Sequence, residues 1–372
     1  MILEGKKEMK AFLSDLHLGD GKERDDFQFH QEFDELVRKL SGEFKKIEMI
    51  LLGDIFDLIR TQKYYEFERL PHSEVKFRVM EDIVEQHGPF FETLKYFTEK
   101  KDKQLRYVMG NHDFGIYLDP RLPEMVREKF GLVLTPESYY RDERLRIWAE
   151  HGHRYDTVNN TFNNDGTPNP YCLGDKIVVE IVDKFYEKVR KNQAELGIDP
   201  EIMNDLDNVR PQTAIVDWLD SIDDEGRLRQ IYYDTITAFV VSHPGEVGNL
   251  VLDLIAGKYQ PDLVKAAREL VKQGAGKYII FGHTHDPLIK DLKKGNKHLN
   301  TGTWRKFIEP WRRFTKRVLV SSYQEGGTQF YEEQIVYRYT FKTTINLSYV
   351  LFYEKGEGKV GPRLIQQKQE SE

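Results

Sequence analysis

The sequence predicts an α/β protein, helices packed on a central sheet, interrupted by a helical insertion. Three observations carry this. Short apolar, β-branched or aromatic runs alternate with apolar residues at helical spacing. Five of those runs end at once in polar, metal-competent residues, and one gap, between His151 and His283, is far longer than the rest and reads as helical.

The first run, residues 10–14, leads into Asp15-Leu16-His17. Phe29, Phe33, Leu36, Val37 and Leu40 then keep the spacing of one helix face. Residues 47–52 form a second strand that stops at Gly53-Asp54. Val79, Met80, Ile83 and Val84, and after them Phe90, Leu94 and Phe97, give two further helical stripes whose aromatic content marks them as core. Residues 105–109 lead into Gly110-Asn111-His112-Asp113, and residues 145–149 into Glu150-His151-Gly152-His153.

A turn-rich segment, 159–170, reads as a linker or hinge. Asp175 is placed to cap a helix carrying Ile177, Val178, Ile181, Val182, Phe185 and Val189. Pro261 stands where another begins, before Leu263, Val264, Ala267 and Leu270. Residues 166–273 are therefore expected to form a helical insertion, or cap, within a core made of 1–165 and 274–362. The core resumes with a strand over 278–281 that runs into Gly282-His283-Thr284-His285, and β-rich patterns follow over 334–346 and 349–353. Residues 363–372 read as a polar tail.

Composition narrows the chemistry. A chain of 372 residues with 39% hydrophobic and 31% charged residues can bury a sizeable core. No window approaches the ~20 apolar residues of a membrane span, and the first ten residues carry charges where a secretion signal needs an apolar centre, so a cytoplasmic protein is expected. The net charge of −7 supplies no global basic field for nucleic acid. Cys172 is the sole cysteine, which excludes an internal disulfide and thiolate metal clusters. A metal site here must use His, Asp, Glu and Asn.

Six of the 11 histidines, His17, His112, His151, His153, His283 and His285, fall in the strand-end clusters. In α/β sheets ligands gather outside the carboxyl ends of strands, so five such ends can converge on one crevice. Two divalent cations about 4 Å apart repel by roughly four times the ~4 kcal/mol of a unit-charge pair, so an anion must bridge them. Asp54, at the tip of a central strand, is the candidate bridge. Asp15 and His17 suit a first metal, completed by His285. Asn111, His151 and His283 suit a second, although the choice between His151 and His153 stays open on spacing alone. A bridging hydroxide made from water could then attack phosphorus while His112 donates a proton to the leaving oxygen.

Taken in order, Asp15-Leu16-His17, Gly53-Asp54-Ile55-Phe56-Asp57, Gly110-Asn111-His112-Asp113, His151-Gly152-His153 and Gly282-His283-Thr284-His285 resemble the five motifs of the calcineurin-like metallophosphoesterases. The resemblance implies a four-layer α/β/β/α sandwich. It implies two divalent cations, manganese first, with iron, zinc or nickel as alternatives. It also implies hydrolysis of a phosphomonoester, phosphodiester or pyrophosphate, with a phosphorylated small molecule favoured as substrate. Family position places the ligands on Asp15, His17, Asp54, Asn111, His151, His283 and His285, with His112 as the acid, and leaves His153 to a substrate phosphate or a supporting role.

Departures bear on the substrate. Protein phosphatases of the superfamily carry Arg-Gly after the second motif and Glu after Asn-His, whereas here Leu58-Ile59 follows Asp57 and Asp113 follows His112. Cyclic-nucleotide phosphodiesterases carry a His-His-Pro type fourth motif. In motif style the chain is nearest to UDP-2,3-diacylglucosamine pyrophosphatases, which read His-Gly-Asp where this chain has His151-Gly152-His153.

Residues 305–317 hold six basic residues and one acid among aromatics. Arg305, Arg312 and Arg313 are therefore candidates for phosphate contact, with an anionic lipid surface or single-stranded nucleic acid as other ligands for the stretch. A nuclease, or a silent interaction module on the same fold, ranks as the alternative function. Peripheral membrane contact is compatible with this reading, and oligomeric state is left open.

Overall fold

In the computed structural model, residues 6–22, 24–325, 328–354 and 360–370 are described. The outermost residues of the expected core and polar tail, 1–5 and 371–372, lie outside them. The strands are β1 (Lys6–Leu13), β2 (Phe44–Leu52), β3 (Lys103–Val108), β4 (Pro136–Glu137), β5 (Tyr140–Asp142) and β6 (Ile147–Ala149). They continue with β7 (Tyr278–Phe281), β8 (Leu288–Asp291), β9 (Lys297–Asn300), β10 (Trp304–Glu325), β11 (Thr328–Glu354) and β12 (Val360–Glu370).

These strands form two sheets. One runs β10-β11-β1-β2-β3-β4, with β12 beside β11, and the other β5-β6-β7-β9-β8. β1 to β4 are parallel, in a register that pairs Phe12 with Ile50 and Leu52 with Val108. β6, β7 and β9 are parallel in the second sheet. Parallel neighbours put their carboxyl ends on one edge, which brings the motif loops together.

Side-chain alternation then builds the layers. Phe12, Ile50, Val108 and Phe352 of the first sheet meet Ile147, Ala149, Ile280 and Leu299 of the second in one buried cluster. Their sequence neighbours face outward. Ile279 and Phe281 pack under the helix Leu263–Lys272 through Leu263, Ala267 and Leu270. On the other side Phe33, Phe90, Phe91 and Phe56 pack ring against ring below the helices His30–Glu43 and Gly88–Thr98. The result is the expected order of helices, sheet, sheet and helix.

The chain divides into two compact units. The first comprises Met1–Asp183, Pro261–Arg305 and Asn346–Lys368, and the second Lys184–Gln260, Lys306–Ile345 and Gln369–Glu372. Helix Leu263–Lys272, read from sequence with the insertion, packs on the second sheet within the first unit. The second unit contains helices Ile215–Ile222, Arg227–Ser242 and Glu246–Ile255 together with the outer parts of β10 and β11. Two β patterns that the sequence separates, around 334–346 and 349–353, are one strand, β11. The polar residues after Pro362 continue β12, because a strand lying beside β11 gains backbone hydrogen bonds whatever its side chains.

Candidate metal centre

Each motif follows the carboxyl end of its strand, and the loops are tied by backbone hydrogen bonds. The amides of Asp15 and His17 donate to the carbonyls of Gly53 and Asp54, both at 3.0 Å, and that of Asp57 donates to Leu18 at 2.8 Å. Asp15, His17, Asp54, His283 and His285 all have φ between 51° and 71°. Left-handed backbone costs a non-glycine residue about 1 kcal/mol or more, less for Asp and His than for most, and is kept where surrounding contacts enforce it. Here it serves five side chains of the first, second and fifth motifs. Glycines make room beside them: a Cβ on Gly110 would stand 2.1 Å from Asp54 Oδ1, and one on Gly282 2.5 Å from Asp15 Oδ2.

Three groups of donors result: one is His17, Asp57 and His112, and the other two meet at the carboxylates of Asp15 and Asp54. Ligand atoms of Asp15, His17 and His285 lie within 4.8 Å of one another, as do those of Asp54, His151 and His283. His17 Nε2 is 3.1 Å from His285 Nε2, which is 3.2 Å from Asp15 Oδ1. His151 Nε2 is 3.0 Å from Asp54 Oδ2 and 4.0 Å from Asp15 Oδ1, so the two groups adjoin. The Asn111 side-chain oxygen is buried and accepts no hydrogen bond. A buried acceptor left so is open to a cation ligand's role.

Partners behind the ring set its orientation. His17 Nδ1 donates to Asp57 Oδ2 at 3.1 Å, His151 Nδ1 to the Leu52 carbonyl at 2.9 Å, and His283 Nε2 to Asp156 Oδ2 at 2.8 Å. Each leaves the opposite nitrogen as the atom the ring can offer. Burial pushes His17 down to about 3, against the pull of Asp57, so its imidazole is neutral and able to bind a cation. At His151 burial opposes protonation, but the charges of Asp54 and Asp15 outweigh it and lift the pKa to about 10. The carboxylates thus draw positive charge to this point.

His112 stands beside the ring of His17, centroids 4.7 Å apart, and its Nδ1 donates to Asp57 Oδ1 at 2.9 Å. Burial would lower its pKa; the charges of Asp57 and Asp54 overcome this and raise it to about 9. It is therefore protonated at neutral pH.

The structure brings Asp15, His17, Asp54, His151, His283 and His285 into the two donor groups. His112 reaches Asp54 through its amide, which donates to Asp54 Oδ1 at 2.9 Å, and Asn111 precedes it in the same loop. His153 is buried and shares a 2.9 Å hydrogen bond with Thr161. Arg305, also buried, donates to Asp26 at 2.9 Å. Arg312 and Arg313 are exposed and belong to the second unit.

Three carboxylates given no role from sequence also organise the site. Asp57 holds both His17 and His112, and Asp113 accepts from the amides of Gly110 at 2.6 Å and Ile55 at 2.8 Å. Both stood inside recognised motifs. Asp156, which holds His283, lies 127 residues from it and had no sequence signal.

Carboxylate, amide and imidazole donors without thiolate fit divalent cations of the first transition row or magnesium. This fold and donor set define a metal-dependent phosphohydrolase. Residues 11–287 match the family model of the calcineurin-like phosphoesterases, and the chain belongs to that family, whose members use a binuclear divalent metal centre. Among solved structures, a dimetal phosphatase from Danio rerio is similar at 11% identity, covering 96% of this chain and 98% of its own with a TM-score of 0.34. The Vacuolar Protein Sorting 29 structure from Cryptosporidium parvum aligns at 12% identity over 97% of this chain and 98% of its own, TM-score 0.25. No curated protein matches the chain.

Proposed function

We propose that the protein hydrolyses a phosphomonoester, phosphodiester or pyrophosphate bond of a small molecule. In this reading Asp15, His17 and His285 would hold one cation and Asn111, His151 and His283 the other, with Asp54 serving both. Manganese is the first choice of metal. The cations would supply a nucleophile from water at neutral pH and stabilise charge gathering on the phosphoryl oxygens. The observation that carries the reading is the pair of adjoining donor groups around Asp15 and Asp54.

The remaining steps belong to the chain. By accepting from the Nδ1 of each, Asp57 fixes the His17 tautomer that leaves Nε2 free of a proton and holds His112 protonated, while burial keeps His17 neutral. His112, with its side chain 19% exposed, is placed to pass its proton to the departing oxygen. That proton matters most when the leaving group is a poor one.

The test is metal content and turnover together. Purified protein should carry two equivalents of divalent metal and release p-nitrophenol from mono- or diester substrates. Asp54→Asn should lower kcat at least ~100-fold and reduce bound metal. Full activity in that variant, or a wild-type protein that takes up no metal, overturns the proposal. A panel of nucleotides, nucleotide-sugars, cyclic diesters and single-stranded DNA would then separate small-molecule turnover from nuclease action.

A further inference from the structure

We propose that the β10–β11 ribbon of the second unit is a docking surface for an anionic lipid bilayer. This does not rest on the phosphoesterase reading. Residues 311–315 of β10 are exposed one after another. Alternate residues of a strand face opposite ways, so five exposed in succession mean that neither face of the ribbon is covered there. Yet the ribbon is not polar. Trp311 is 52% exposed, Phe314 44%, Ile335 62% and Tyr337 56%. Single exposed apolar residues are ordinary; four large ones on one ribbon are not.

Cations lie among them. Lys342 Nζ sits 4.1 Å above the Trp311 ring, and the Arg313 guanidinium 3.6 Å above Tyr337. Further along the same ribbon the basic residues are matched by acids of the second unit: Lys306 with Asp205, Lys316 with Asp224 and Arg338 with Asp220. Among the described residues the basic character is therefore concentrated around Trp311, Arg312 and Arg313. A chain of net charge −7 is repelled by an anionic surface except where such a patch faces it.

The arrangement favours lipid over single-stranded nucleic acid. A base needs a bare aromatic face to stack on, and one face of Trp311 and of Tyr337 already holds a cation. Ile335 offers no stacking plane. At a bilayer interface the same groups are all used: Trp and Tyr settle at headgroup depth, aliphatic side chains enter the acyl boundary, and Arg and Lys reach lipid phosphates. No helix among the described residues is long and apolar enough to cross a membrane, so the contact lies on the surface.

Co-sedimentation of the full chain with vesicles of phosphatidylcholine alone, or mixed with phosphatidylglycerol, tests this. Binding is expected only with phosphatidylglycerol present, and should weaken as salt rises. Arg312→Gln with Arg313→Gln should lower partitioning about 25-fold, at about fivefold per cation. Trp311→Ala should lower it too, whereas Lys316→Gln combined with Asp224→Asn, which removes an exposed pair without changing the net charge, should change it less than about twofold. Unchanged circular dichroism would confirm that the variants fold. Equal binding to neutral vesicles, no binding, or no effect of the double variant overturns the proposal. So does tight binding of a labelled oligothymidylate by protein that ignores vesicles.

Discussion

His112 and His298 show what burial does to an imidazole with and without a carboxylate beside it. Asp57 and Asp54 keep His112 protonated to about pH 9 despite burial. Replacing it by Asn should therefore hurt most where a proton is needed. We expect kcat to fall roughly 10²–10⁴-fold for an alkyl phosphoester but much less for a p-nitrophenyl ester, whose leaving group departs unprotonated; parallel rate measurements on the two substrates check this. His298, on β9 against the Phe281 ring, is buried and neither of its ring nitrogens has a hydrogen-bond partner. Burial pushes it down to about 4 from 6.5. The unfolded chain takes up the proton first as pH falls, so this stabilisation is complete above pH 6.5 and is lost towards pH 4. At about 1.4 kcal/mol per unit, about 3 kcal/mol is involved. Urea unfolding of His298→Leu should lose that much less stability than wild type between pH 7 and pH 4.

The strand-end loops act as units because their backbones touch. Gly110 stands two residues beyond the end of β3, and its missing Cβ is the space that Asp54 occupies. Gly110→Ala must displace Asp54 or its own loop, since the nearest atoms include the Asp54 backbone nitrogen at 2.4 Å. A shift near 1 Å at a reacting centre costs about 100-fold in rate. Gly110→Ala should thus lose at least that much activity and bind less metal, while far-ultraviolet circular dichroism stays native. Activity assays with elemental analysis of the purified variant decide it. The ribbon of β10 and β11 behaves differently: its backbone is paired, but its side chains over residues 311–315 have no covering layer.

Across the whole molecule, the centre joins segments from both ends of the sequence. Asp15 accepts from the His283 amide 268 residues away, and the Thr303 hydroxyl donates to its carbonyl. Cations bound there would stabilise only the folded chain, because the unfolded chain does not assemble the donors. For one site at 100 times its Kd the gain is about 2.7 kcal/mol. Adding manganese should raise the melting temperature by several degrees and a chelator should reverse it, followed by differential scanning calorimetry at fixed protein concentration. A melting temperature indifferent to metal would contradict a centre of this kind.

Much of this architecture was legible in the chain. Short apolar, β-branched and aromatic runs marked β1, β2, β3, β6, β7 and β11, helical spacing marked helices that cover the sheets, and five short clusters marked the strand ends proposed as the metal centre. These signals are local, since each depends on residues within a few positions of one another. What only the tertiary structure decided is non-local. Asp156 finds His283, Asp57 holds two histidines from different loops, and helix Leu263–Lys272 takes its place on the second sheet because Ile279 and Phe281 offer it an apolar face. Likewise β10 is continuous through residues 305–317, which the sequence marks only by their basic and aromatic content. Strand formation there is fixed by hydrogen bonds to a partner segment distant in sequence, and composition carries no record of that partner.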